Sequence, residues 1–134
     1  MLANGATLSY SATESGTYAN LPGLKEIPEM GVDPERVENT CLSDTVRKYE
    51  NGIGDPGDMN YVFKYDNSGA NSSYRVLRAL TGTVYWKETL SDGTVYAFAA
   101  QPSVKRGGGG VNAALEFTLG LALQSEITIT NPQV

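Results

Sequence analysis

Apolar and polar positions alternate without a break over residues 115–123. Leu115, Phe117, Leu119, Leu121 and Leu123 fall on one side, and Glu116, Thr118, Gly120 and Ala122 on the other. A period of two predicts an extended strand with one apolar face and one small, wet face. The stretch outruns the usual strand length of about five or six residues, and its wet side carries no Lys or Arg. That combination predicts a long sheet whose second side is a smooth surface.

Other strands are predicted over residues 6–12, 35–42, 60–65, 83–90, 94–105 and 126–130, with residues 21–30 extended and punctuated by Pro22, Gly23 and Pro28. Ser91, Asp92 and Gly93 make a hairpin turn, and Arg106 followed by Gly107–Gly110 makes a flexible tip. The return strand is expected to begin at Val111, directly after it. Residues 72–80 form the one convincing helix, with Val76, Leu77 and Leu80 as its buried stripe, Asn71 or Ser72 as its cap and Gly82 past its end. Two turns are not stable alone in water, so the helix must pack on a sheet. The element order predicts a mainly β fold: two packed antiparallel sheets, as a β-sandwich or partial barrel, with one short flanking α-helix.

Residues 43–58 are the least regular stretch, with Gly52, Gly54, Pro56 and Gly57 among the acids Asp44, Glu50, Asp55 and Asp58. A loop this long in a compact domain is usually functional or disordered, and an arm that orders against a neighbour is the favoured reading. The length of 134 residues suits one domain spanning 1–134.

Net charge is −5, which argues against sequence-independent nucleic-acid binding and against adsorption to anionic membranes. His is absent and Cys41 is the only Cys, so no His-based triad, His-ligated metal or intrachain disulfide can form. The first residues lack a basic region followed by an apolar run, so no secretory signal is expected.

Candidate chemistry does not survive inspection. Gly52-Ile53-Gly54-Asp55-Pro56-Gly57 has the letters of a dinucleotide fingerprint but no predicted strand before it or helix starting within it. Gly107–Gly110 lacks the Lys-Ser/Thr of a phosphate-binding loop. Glu50, Asp55 and Asp58 do not have EF-hand spacing. Trp86 with Tyr85 and Tyr96 offers a sugar-stacking platform on one reading, and a core or interface position on the commoner one. Cys41 has no basic neighbour in sequence to activate it, so a buried inert thiol is expected. No cofactor and no catalytic residue is assigned.

The order of short segments carries a resemblance. Leu21-Pro22-Gly23-Leu24-Lys25-Glu26-Ile27-Pro28 leads to Gly31, then Val37-Glu38-Asn39-Thr40 and Leu42-Ser43-Asp44. The run from Tyr49 to Asp58 precedes an aromatic strand ending at Tyr65-Asp66, followed by the helix from Tyr74 to Leu80, the strand Gly93-Thr94-Val95-Tyr96-Ala97-Phe98 and a return closing near Ser125-Glu126-Ile127. This resembles the tail tube protein family of long-tailed bacteriophages over most of the chain. The resemblance implies a β-sandwich with a flanking helix that assembles with itself into hexameric rings stacked as a hollow tube. It implies an arm at about residues 43–58 that packs on the adjacent ring, and Arg47, Lys48, Tyr49, Asp55 and Asp58 are its candidate contacts. It implies tape-measure and tail-end proteins as further partners, a place in the virion tail after assembly in the host bacterial cytoplasm, and DNA that transits without specific binding.

Glu116, Thr118, Gly120, Ala122 and Gln124 form the candidate lumen face, because a bore through which DNA slides must not grip phosphate. Six copies would sum to 6 × −5 = −30 per ring. Lys105 and Arg106 are the candidate subunit-contact pair beside the hairpin tip. Two alternatives stay open: a monomeric β-sandwich that binds a carbohydrate-type ligand, and a tube subunit of a contractile phage-tail-like particle.

Overall fold

In the computed structural model, residues 2–30, 33–38, 40–43, 45–47, 49–55 and 58–132 are described, the side chains of 33–37, 49–55 and 58 excepted. Among the described residues, ten strands and one helix follow in the order β1 Thr7–Ser11, β2 Ala19–Asn20, β3 Leu24–Glu26, β4 Asp33–Glu38, β5 Tyr49–Asp55, β6 Asp58–Lys64, α1 Ser73–Ala79, β7 Val84–Thr89, β8 Val95–Arg106, β9 Glu116–Leu123 and β10 Thr128–Thr130. The fold is mainly β with one short helix, and its main sheet curls into an antiparallel half-barrel.

That sheet has eight strands in the order β2-β1-β7-β8-β9-β6-β3, with β10 pairing β8 beside β9. The two expected layers are thus halves of one sheet that share β8. The first six residues of this 12-residue strand pair with β7, from Val95↔Thr89 to Ala100↔Val84. The last seven pair with β9, from Ala100↔Leu123 to Arg106↔Phe117.

Strict alternation builds the core. Phe117, Leu119 and Leu121 of β9 are buried together with Met59, Tyr61 and Phe63 of β6, Val84 and Trp86 of β7, Leu8 of β1 and Phe98 and Ala100 of β8. Phe63 and Phe117 are register partners, and their rings stack at 5.2 Å. Trp86 is fully buried, and its indole N–H donates to the Ala100 carbonyl at 3.2 Å, which satisfies the one polar atom on an otherwise apolar ring. Helix α1 lies on the apolar side of the sheet, where Tyr74 stands edge-on to Phe117 and Tyr65, and Leu77 is buried.

Three local expectations change. Ser72 occupies the N-cap position in extended geometry but makes no cap hydrogen bond, because its hydroxyl donates backwards to the Gly69 carbonyl at 2.8 Å. Residues 49–55, read as irregular, form β5 and pair with β4 as a separate two-stranded sheet. β9 starts at Glu116 rather than Val111, because a turn in which Asn112 adopts a positive φ of 65° intervenes.

Candidate functional site

Backbone direction along β8 defines the site. The Gly107 N–H donates to the Glu116 carbonyl at 2.8 Å, and the Gln124 N–H donates to the Ala99 carbonyl at 2.7 Å. Odd-numbered residues of β8 therefore aim their backbone groups at β9, and even-numbered residues aim theirs at the opposite edge. On that edge β7 ends at Val84, opposite Ala100. Pro102, Val104 and Arg106 lie beyond it, and on that edge no strand among the described residues pairs with them. Pro102 stands where its missing donor breaks no ladder bond, a placement proline takes at sheet edges. Helix α1 packs against β8, but a helix bonds its own amides and supplies no ladder.

The candidate lumen residues sit on the face away from the core. Glu116, Thr118 and Gly120 are half-buried and Ala122 is exposed, while the residues alternating with them are buried. Register places Gln101, Ser103 and Lys105 of β8 beside Ala122, Gly120 and Thr118, and Asn60, Val62 and Lys64 of β6 beside Gly120, Thr118 and Glu116. The wet side of β9 has no cation of its own, yet neighbouring strands bring Lys64 and Lys105 onto the same face. Lys25 adds a third cation, with its Nζ at 2.7 Å from Glu116 Oε1. Gly120 is a notch, since a Cβ there would lie 2.9 Å from Ser103 Oγ and 3.4 Å from Asn60 Oδ1. Gln124 falls beyond the end of β9 and lines a groove of about 560 Å³ with Glu14, Tyr18, Tyr85 and Glu126.

Lys105 and Arg106 are exposed at the end of β8, next to a tip where Val111 and Leu115 are also exposed. In the arm, Leu42 and Val46 are exposed, and Arg47 Nε lies 3.7 Å from Glu38 Oε1. Lys48 lies outside the described residues, as do the side chains of Tyr49, Asp55 and Asp58. The backbones of those three pair with Glu38, Asp33 and Ala122.

One expectation about a single residue is overturned, and one alternative reading is closed. Cys41 is exposed, not buried. Trp86 has no accessible surface, and it faces the core while its neighbour Tyr85 is on the other side of β7, so the sugar platform does not exist. Gly52 and Gly54 lie in strand β5, which excludes the helix start that a dinucleotide fingerprint requires. Among the described residues no group of three or more His, Cys, Asp or Glu is placed to hold a metal ion, and no helix is long and apolar enough to cross a membrane.

One functional group escaped sequence reasoning. Glu88 follows Val84 and Trp86 at two-residue spacing and is 2% exposed. The same alternation would have placed it inside. Burial raises its pKa above the ordinary carboxyl value, with Tyr61 acting in the opposite direction.

The class is a mainly β, curled half-barrel with a separate two-stranded sheet and a broad polar face. A family model described as phage tail tube, TTP, lambda-like, matches residues 1–130. The chain belongs to this family, and it is a structural subunit of a tail tube. Solved structures share the fold. A chain of the anti-feeding prophage (AFP) baseplate, a 6-fold symmetrised cryo-EM structure, aligns at TM-score 0.71 and 13% identity, covering 100% of this chain and 97% of that one. A chain from the tail of an empty GTA particle, obtained by helical refinement with C6 symmetry, aligns at TM-score 0.69 and 16% identity over 95% of this chain and 98% of that one. No curated protein matches the chain.

Proposed function

We propose that six copies of this chain close into a ring and that rings stack into a hollow tube, with the β3-β6-β9-β8 half of each sheet forming the wall of the bore. The observation that carries this reading is the length of β8. Its residues 102–106 outrun β7 and leave a half-strand edge unpaired, while β3, a three-residue strand, ends the same half-sheet on its other side. Unpaired edges invite pairing with another chain, and ring closure removes them. Pairing β8 of one copy with β3 of the next makes the wall continuous.

On this reading Glu116, Thr118, Gly120 and Ala122 face the bore, with Gln124 at its rim. The six-fold symmetry of the two solved relatives supports the ring size. Lys25 pairs with Glu116, and Lys64 and Lys105 remain on this face of a ring whose whole-chain charge sums to −30. The whole chain acts as one tail-tube domain, and its hairpin arm, with Arg47, Lys48, Tyr49, Asp55 and Asp58, contacts the adjacent ring. The subunit performs no catalysis. Its partners are copies of itself, a tape-measure protein and tail-end proteins, in a virion tail assembled in the host bacterial cytoplasm. Negative-stain microscopy of the purified protein tests the reading. Rings or tubes with six-fold end views are expected, and a strictly monomeric population at high concentration overturns it.

A further inference from the structure

We propose that successive rings engage through the β8–β9 tip of one copy and the groove at the far end of β8 of a copy in the next ring. The proposal rests on the tube reading above and names the two surfaces that stack. β8 has 12 residues, which at about 3.3 Å each makes a strand roughly 40 Å long. Its C-terminal end presents the exposed cations Lys105 and Arg106 and then the tip, where Val111 is 95% exposed.

Its N-terminal end carries the groove of about 560 Å³, between the segment before β2 and the turn between β9 and β10. Ala97 and Ala99 floor it, Tyr18 and Tyr85 wall it, and Glu14 and Glu126 line it. Neither acid has an ion-pair partner among the described residues. The nearby cation Lys87 is held over the Tyr18 ring at 4.2 Å instead. The tip is basic with an apolar end, and the groove is acidic with an aromatic wall, so the two are complementary in charge and in character.

Direction adds a separate support. Surfaces that differ and lie at opposite ends of one strand make a heterologous contact, which propagates as a filament rather than closing. The arm leaves from the groove's end of the sheet, since β6 follows it and starts at Asp58, opposite Ala122, two residues before Gln124. Arm and groove therefore share one rim and the tip occupies the other, so both contacts run along a single stacking axis.

Charge reversal tests the pairing on the full chain. Lys105→Glu with Arg106→Glu, and separately Glu14→Lys with Glu126→Lys, should each leave circular dichroism unchanged and abolish stacked tubes in electron micrographs and sedimentation. Combining all four should restore tubes. Stacking by either reversed pair at the level of the unaltered chain, or no recovery in the fourfold variant when it is folded, overturns the contact. An unaltered chain that forms neither rings nor tubes overturns the tube reading beneath it.

Discussion

Glu88 on β7 and Tyr61 on β6 meet across the core, one from each half of the curled sheet, and among the described residues Glu88 Oε1 and Tyr61 Oη have no hydrogen-bond partner. Burial, then the Glu88 charge, drives the Tyr61 pKa upward, while burial raises that of Glu88 and Tyr61 works against the rise. Tyr96 is the register partner of Glu88 on β8. No Lys or Arg contributes to the shift of Glu88. The pair is a polar contact in an apolar interior, where a lone charge would be costly.

This sets a pH dependence. A carboxyl whose folded pKa lies above its unfolded one favours the folded state fully below the unfolded value, 4.5, and that contribution is lost as pH rises through the folded value. Thermal melting of the disassembled subunit should therefore show a falling contribution from Glu88 above pH 4.5, and Glu88→Gln should flatten that part of the profile. An unchanged slope in Glu88→Gln would show that Glu88 ionises normally in the folded chain.

Val104→Pro isolates the free edge of β8. Val104 aims its N–H away from β9, so proline there removes no ladder bond within the subunit, just as Pro102 removes none. The variant should fold, at a cost of about 1–2 kcal/mol for the lost side-chain packing and strain, and should fail to form rings. Rings of normal abundance in Val104→Pro would remove this edge from the subunit interface.

Gly120 tests the bore. Gly120→Ala requires only a turn of the Ser103 hydroxyl, whose Oγ would be 2.9 Å from the new Cβ, so a loss of about 1 kcal/mol or less is expected. Gly120→Arg adds six guanidinium groups to each ring on the lumen reading. Tubes of that variant should retain short DNA in a salt-sensitive manner while unaltered tubes do not. Equal DNA retention by the two would place Gly120 outside the bore.

The arm supplies a third assembly test. Replacing Arg47, Lys48 and Tyr49 with Ala should leave the melting temperature of the subunit within a few degrees and impair stacking of rings. Sedimentation of the variant beside the unaltered chain reads the difference, and equal polymer mass would assign the hairpin another role.

Much of the fold was legible because alternation is a local signal. Residues 115–123 declared one buried and one wet face, and the structure buries Phe117, Leu119 and Leu121 accordingly, while Leu115 is exposed and Leu123 half-buried at the two ends. The arm's pairing was not legible, since Gly52 and Gly54 lower strand propensity and β5 depends on its partner β4. The cations of the polar face were hidden for a related reason. Lys25, Lys64 and Lys105 are distant in sequence from Thr118, and only the register of three strands gathers them. The free edge of β8 needed the end point of β7, which no pattern within β8 contains. Helix α1 was legible in position and stripe, but its cap was not, because the Ser72 hydroxyl chose the Gly69 carbonyl.

A cryo-EM map of the assembled tube, traced at the backbone, tests the central claim most directly. The account predicts ladder hydrogen bonds between residues 102–106 of β8 in one copy and β3 of its neighbour, with Thr118 and Gly120 facing the bore. A wall in which that edge of β8 meets solvent or stays covered by α1, with Thr118 on the outer surface, would contradict it.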